Sequence, residues 1–200
     1  MNARPPGLEH DSATAATRAW VERAIIGLNL CPFAKAVYLK DQVRFVVSEA
    51  RSAGALLDDL EAELRSLSHV AAEAVDTTLL IHPHVLNDFL DYNDFLDVAD
   101  AAVERLGLAG VIQVASFHPD YQFAGTRPDD VTNFTNRSPY PILHLLREAS
   151  VDSAVAAFPD AELIYQRNTD TMRRLGVVGW VALGLPQPPS FGSRPPAPGS

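Results

Sequence analysis

Two short apolar runs, Thr77–His82 (TTLLIH) and Val111–His118 (VIQVASFH), decide the fold of this chain. Both are rich in β-branched and aliphatic residues, and each ends in a histidine that precedes a proline, so we predict two strands. Between them, Leu86–Leu106 has the apolar spacing of a helix. Strands joined by a helix of this length are typical of a right-handed βαβ crossover, which makes neighbouring strands parallel.

The same alternation extends towards the amino terminus. Val43–Val47 predicts another strand, and the leucines of about Ala53–Ser68 recur on one face of a helix. A first helix is predicted over about Ala13–Asn29, because Pro32 disfavours helical backbone at the residue before it. We therefore predict an α/β fold: a single domain with a small, mainly parallel sheet built from βαβ units and packed helices.

The part of the chain after the third strand is less regular. From His118 to about Pro141 no period is convincing, and we predict a long ordered loop, since loops of this length in compact domains are usually functional. Short helices are predicted at Ile142–Ala149 and Asp152–Ala157, and a last helix over about Asp160–Gly176.

Composition sets the limits of the domain. We predict a globular domain over residues 13–183, because the two ends of the chain hold few apolar residues to bury. Residues 1–12 are predicted to form a flexible arm, and residues 184–200 a disordered, Pro-rich tail.

Composition also limits the function classes. The 200 residues are 47% hydrophobic and 20% charged, as in soluble globular proteins, and their net charge of −9 lacks the attraction to phosphate that nucleic-acid binders use. No apolar run approaches the ~18–20 residues of a bilayer span, and Met1–Asp11 lacks the apolar core of a signal peptide. Cys31 is the single cysteine, which excludes an internal disulfide. We expect a cytoplasmic protein that binds neither nucleic acid nor membrane.

Candidate chemistry lies where the predicted strands end. Ligands of open parallel sheets bind at the carboxyl ends of strands, where His82 and His118 lie in this chain. Asp120 and Tyr121 follow His118 closely. His82, His118 and Asp120 could hold a divalent metal ion, or a histidine could act as a general base beside its orienting carboxylate. The structural alternative is that His82 caps a helix and His118 hydrogen-bonds its own loop.

The long loop ends in a polar stretch that supplies a candidate anion site. The planar guanidinium of Arg137 matches a carboxylate or a phosphate. Neighbouring polar side chains would complete the substrate-binding set: Asn133, Asn136 and Tyr140. The alternative is a structural arginine paired with Asp129 or Asp130. His144 and Glu148, four residues apart on the predicted helix, could add ligands or form a surface pair.

Cys31 offers a second chemistry. If Pro32 starts a short helix, Cys31 is its N-cap, and the helix dipole and Lys35 lower the pKa of the thiol. Cys31 would then be a nucleophile with His82 or His118 as its base. If Cys31 instead ends the first helix, the thiol is a small, buried and inert group.

Four unusual segments give the chain a family resemblance: Gly27–Lys35 (GLNLCPFAK), Asp91–Leu96 (DYNDFL), Ser116–Gly125 (SFHPDYQFAG) and Asn133–Pro141 (NFTNRSPYP). Together they resemble a family of bacterial proteins of about this length, catalogued as domain of unknown function 1415. The resemblance extends over about residues 13–180 and implies a cytoplasmic, stand-alone single domain. It assigns no catalytic residue and no cofactor.

The leading prediction is a small-molecule enzyme, with hydrolase and oxidoreductase chemistry both open, that acts on a small anionic molecule at the carboxyl edge of the sheet. The predicted catalytic residues are His118, Asp120 and Tyr121, with Cys31 in the thiol version. A divalent metal ion is the cofactor that these groups could hold. The alternatives are a non-catalytic ligand-binding or accessory protein and an interaction surface on the acidic helix Leu86–Leu106. Protein partners stay open.

Overall fold

The structure is a computed structural model, in which residues 6–157 and 163–186 are described. Within these described residues, six α-helices and four strands follow one another. They are α1 (Pro6–Trp20), α2 (Ala34–Leu39), β1 (Val43–Val47), α3 (Ala53–His69), β2 (Thr77–Ile81), α4 (Phe89–Arg105), β3 (Ile112–Phe117), β4 (Ile142–Arg147), α5 (Glu148–Ala157) and α6 (Ile164–Ala182). A π-helical segment, Val21–Ile26, continues α1, and a 3₁₀-helix, Val131–Asn136, lies in the loop after β3.

The four strands form one sheet in the order β1-β2-β4-β3. β1 and β2 are parallel, whereas β4 is antiparallel to both β2 and β3. The α/β class is confirmed, and the prediction of a mainly parallel sheet is wrong. The reason is Ile142–Arg147, which was predicted as a helix and is instead the strand inserted between β2 and β3. Its leucines suit both structures, and hydrogen bonding to strands on both sides decides for the strand.

The sheet carries helices on both faces. Alternate residues of a strand point to opposite faces, so Leu80, Leu143 and Leu145 pack beneath α3 and α4, on the α3/α4 face. Leu79 and Ile142 point the other way and pack against α1 and the π-helical segment, on the α1 face. These two clusters of buried side chains make up the core.

Helix ends differ from the prediction in three places. α1 begins at Pro6, so helical backbone extends into the segment that was predicted as a flexible N-terminal arm. α4 begins at Phe89, since the side chain of Asp88 accepts hydrogen bonds from the first free amides of the helix. The α6 backbone does turn at Gly176, with φ of 64°, but helical backbone then resumes and ends at Ala182.

Some predictions fall outside the described residues. They concern residues 1–5, the start of the last predicted helix at residues 160–162, and the tail from residue 187 onward. Within residues 6–157 and 163–186, no helix has both the length and the apolar character that crossing a bilayer requires.

Candidate functional site

The structure brings His82 and His118 together in a buried cluster with Tyr92. β2 and β3 end at the same edge of the sheet, on either side of β4, and each histidine directly follows its strand. The Tyr92 ring centroid is 5.7 Å from that of His82 and 5.1 Å from that of His118. Both imidazoles are fully buried. We call His82, Tyr92 and His118 the strand-end cluster.

Both ring nitrogens of His118 are engaged with the backbone. The amide of Asp120 donates to Nδ1 at 3.0 Å, so the ring proton is on Nε2, which donates to the carbonyl of Leu86 at 3.2 Å. Burial lowers the pKa of His118, and the nearby Asp120 carboxylate partly opposes that change. The side chain therefore holds its own loop, as the structural alternative predicts.

His82 is also committed to its own loop. Its Nδ1 donates to the carbonyl of Val85 at 3.0 Å, and burial lowers its pKa to about 4. Its Nε2 is enclosed and has no hydrogen-bond partner among the described residues.

The metal hypothesis does not fit this geometry. His118 has no ring lone pair left for a metal ion, because Nδ1 accepts one hydrogen bond and Nε2 carries the proton. Asp120 is exposed. In the described part of the chain, no group of three or more His, Cys, Asp or Glu side chains is placed to hold a metal ion.

Arg137 stabilises the long loop. Its Nε donates to the carbonyl of Tyr121 at 3.2 Å and its Nη2 to that of Pro128 at 2.7 Å, while the guanidinium lies 4.7 Å from the Phe134 ring centroid. Burial lowers the pKa of the guanidinium. Arg137 therefore has the structural role of the alternative prediction, but its partners are backbone carbonyls and not Asp129 or Asp130.

Other predicted substrate-binding residues also hold the loop. Asn133 is fully buried; its Oδ1 accepts from the amide of Phe123 and the hydroxyl of Thr126, and its Nδ2 donates to the carbonyl of Arg127. Tyr140 is buried. These contacts order the segment that the sequence predicts as an ordered loop.

A cavity of about 370 Å³ lies on the α1 face of the sheet. The π-helical segment, the turn before α2, strands β2 to β4 and α5 enclose it, and most of its wall is apolar. We call it the sheet cavity. Its apolar wall includes Trp20, Ile25, Leu79, Phe117 and Leu146. Uncharged polar and sulfur-containing side chains also line it: Cys31, Thr77, Asn136, His144 and Asn168.

His144 lies on β4, where it forms no helical pair with Glu148. Its Nε2 is 2.6 Å from the hydroxyl of Thr77, which in turn donates to the carbonyl of Leu145 at 2.7 Å. A carbonyl can only accept, so the single hydroxyl proton of Thr77 goes to Leu145, and the imidazole donates its Nε2 proton to Thr77. Burial lowers the pKa of His144 to about 4. The ring is therefore neutral near pH 7, and its lone pair is on Nδ1.

Comparison with known proteins adds one finding. A family model described as "Protein of unknown function (DUF1415)" matches residues 12–182. The chain belongs to this family. No curated protein and no solved structure matches the DUF1415 chain. The family description names no activity.

In this DUF1415 chain, Cys31 is separated from the histidines that were predicted as its base. It lies in the turn before α2, whose N-cap is Phe33, so the predicted N-cap role is wrong. Cys31 packs with the cluster on the α1 face, whereas the strand-end cluster packs beneath α4. His144 is the histidine that lines the same cavity as Cys31.

Of the predicted site residues, Cys31 and Asn136 line the sheet cavity of this DUF1415 chain. His82, His118, Asp120, Tyr121, Asn133, Arg137 and Tyr140 lie elsewhere. His144 was predicted only as an additional ligand or as half of a surface pair with Glu148, because Ile142–Arg147 was predicted as a helix. The signal that could have found it is Pro139 and Pro141, which favour extended backbone immediately before this run.

Proposed function

We propose that this chain binds a small, largely apolar molecule in the sheet cavity. The volume of about 370 Å³ falls within the ~300–1,000 Å³ typical of small-molecule sites, which combine apolar walls with a few placed polar groups. The π-helical segment supports the proposal, because π-helical turns occur frequently at functional sites, and its residues Val21 and Ile25 line the cavity.

The observation that carries the proposal is a mostly apolar wall that includes His144, whose Nδ1 accepts no hydrogen bond from the described residues. The charged residues at the cavity already have partners. Asp76 accepts from the hydroxyl of Ser150, and Arg147 donates to the carbonyls of Leu67, Val70 and Val75. The proposed ligand is therefore neutral, and its site differs from the strand-end crevice and anionic substrate predicted from the sequence.

Naphthalene is a suitable probe for the cavity, and α5 offers a matched pair of variants. Ala154 lines the cavity, whereas Ala156 is exposed on the same helix. We expect naphthalene to shift backbone amide resonances at the cavity wall in a saturable way. Ala154→Trp should fill the cavity and weaken binding about tenfold or more, and Ala156→Trp should leave the affinity within about twofold. Absence of saturable shifts, or equal affinity in the two variants, would rule out the proposed site.

A thiol enzyme is the second candidate, because Cys31 and His144 line the same cavity and the described residues donate no hydrogen bond to Nδ1 of His144. A histidine that acts as base would raise the reactivity of the thiol. For a binding protein, we expect iodoacetamide to alkylate Cys31 at the same rate in the parent chain and in His144→Phe, as followed by intact mass. A rate about tenfold lower in His144→Phe would favour the thiol enzyme. Naphthalene should slow the reaction in either case.

A further inference from the structure

We infer that His144 determines the specificity of the sheet cavity by accepting a hydrogen bond, through Nδ1, from a neutral ligand that carries a hydroxyl or N–H group. The inference rests on the proposed function and names the class of ligand: small aromatic or aliphatic molecules with one such donor. Anions are disfavoured, because a carboxylate oxygen would face the lone pair of a neutral imidazole.

The protonation pattern of the ring is fixed by a chain of two hydrogen bonds. Thr77 bridges β2 and β4, since its hydroxyl donates to Leu145 and accepts from His144. If the ring proton moved to Nδ1, the lone pair of Nε2 would face the oxygen of the buried Thr77 hydroxyl, whose proton is already donated to Leu145, so this tautomer is disfavoured. The protein therefore presents an acceptor to the cavity.

The acceptor is open to a ligand. Among the described residues, no donor reaches Nδ1 of His144. The described residues also leave Nδ1 accessible. In this it differs from Nε1 of Trp20 and Nε2 of His82, which have no partner and are completely enclosed. His144 lines the sheet cavity, so we infer that Nδ1 is reached from that cavity.

An aromatic side chain, Phe117, lies beside the His144 ring. Phe117 lies 6.0 Å from His144 and meets Trp20 edge-on at 5.1 Å, between centroids. All three side chains line the cavity. A flat aromatic ligand that packs against these rings would have its hydroxyl within reach of one acceptor, which gives the hydrogen bond a defined direction.

The test compares 2-naphthol with 2-methylnaphthalene, which has the same number of heavy atoms but no donor. In the parent chain we expect 2-naphthol to bind about fivefold to tenfold more tightly, as one neutral hydrogen bond predicts. In His144→Phe this advantage should disappear, while 2-methylnaphthalene still binds. Thr77 keeps its bond to Leu145 in this variant. The anion 2-naphthoate should bind the parent chain at least about tenfold more weakly than 2-naphthol.

The outcomes separate the two proposals. If neither naphthalene nor 2-methylnaphthalene binds, the proposed function fails. If both bind but 2-naphthol has no advantage that depends on His144, or if 2-naphthoate binds most tightly, this inference fails. If His144→Phe folds poorly, the NMR resonance of His144 Nδ1 in the parent chain tests the same hydrogen bond. It should shift towards the hydrogen-bonded position with 2-naphthol and stay unchanged with 2-methylnaphthalene.

Discussion

Acidification from pH 7 to pH 4 is expected to lower the free energy of unfolding by about 6 kcal/mol through two histidines, His82 and His144. Burial lowers the pKa of His82 and of His144 to about 4 each, from an ordinary value near 6.5. As the pH falls below 6.5, the unfolded chain takes up protons that the folded chain does not bind until about pH 4. The folded state loses about 3 kcal/mol for each histidine. His118 acts in the same direction.

The measurement is urea unfolding at a series of pH values between about 5 and 7. Between pH 6.5 and 5 the slope of the unfolding free energy against pH should approach an uptake of about two protons or more. Below that window, carboxylates whose pKa is lowered by partners, such as Glu61 and Asp130, also contribute.

His144→Phe tests the assignment of this slope. The variant removes one of the two most strongly shifted histidines, so the slope between pH 6.5 and 5 should fall by about one proton. A free energy of unfolding that stays flat across the window would contradict the burial of these rings. A slope that His144→Phe leaves unchanged would contradict the assignment to His144.

The first three strands could be predicted from the sequence because each is a short run of β-branched and aliphatic residues. The ends of β2 and β3 were also correctly expected to meet at one edge. That expectation does not depend on the mainly parallel sheet, because β4 is antiparallel to both strands and therefore leaves them parallel to each other.

β4 could not be predicted from the sequence. Because its residues were predicted as a helix, the candidate site was placed at the strand ends and not in the sheet cavity. The run Ile142–Arg147 has leucines at spacings that suit either a helix or a buried strand, and only its pairing with β2 and β3 distinguishes them. Once this run is read as a helix, His144 becomes half of a surface pair with Glu148. Read as a strand, it places the imidazole on the α1 face, beside Thr77.

The roles of the predicted residues depended on partners that are distant in sequence or belong to the backbone. Arg137 looked like an anion clamp, but its donors meet carbonyls of Tyr121 and Pro128, which spacing does not reveal. His118 looked like a base, yet its ring proton goes to Leu86. The sheet cavity depends on how the π-helical segment and α5 pack over the sheet. Helix-forming patterns carry no signal for such a gap.

Tyr92→Phe is expected to lower the free energy of unfolding by about 2–4 kcal/mol, because the Tyr92 hydroxyl joins α4 to two strands. It donates to the carbonyl of Ile142 at 2.8 Å and accepts from the amide of Phe117 at 3.1 Å. Tyr92 is fully buried, so removing its hydroxyl takes away both hydrogen bonds in a place where water does not replace them. Urea unfolding at pH 7 measures the change.

Tyr38→Phe is the matched control, since its hydroxyl donates to Glu22 near the surface and its loss should cost less than about 1 kcal/mol. A Tyr92→Phe chain as stable as the parent would show that the hydroxyl does not hold the strand ends. The same variant separates the two regions of the molecule. The strand-end cluster lies on the α3/α4 face, so naphthalene should bind Tyr92→Phe with the parent's affinity. A large loss of affinity would instead mean that the strand-end cluster shapes the sheet cavity through β4.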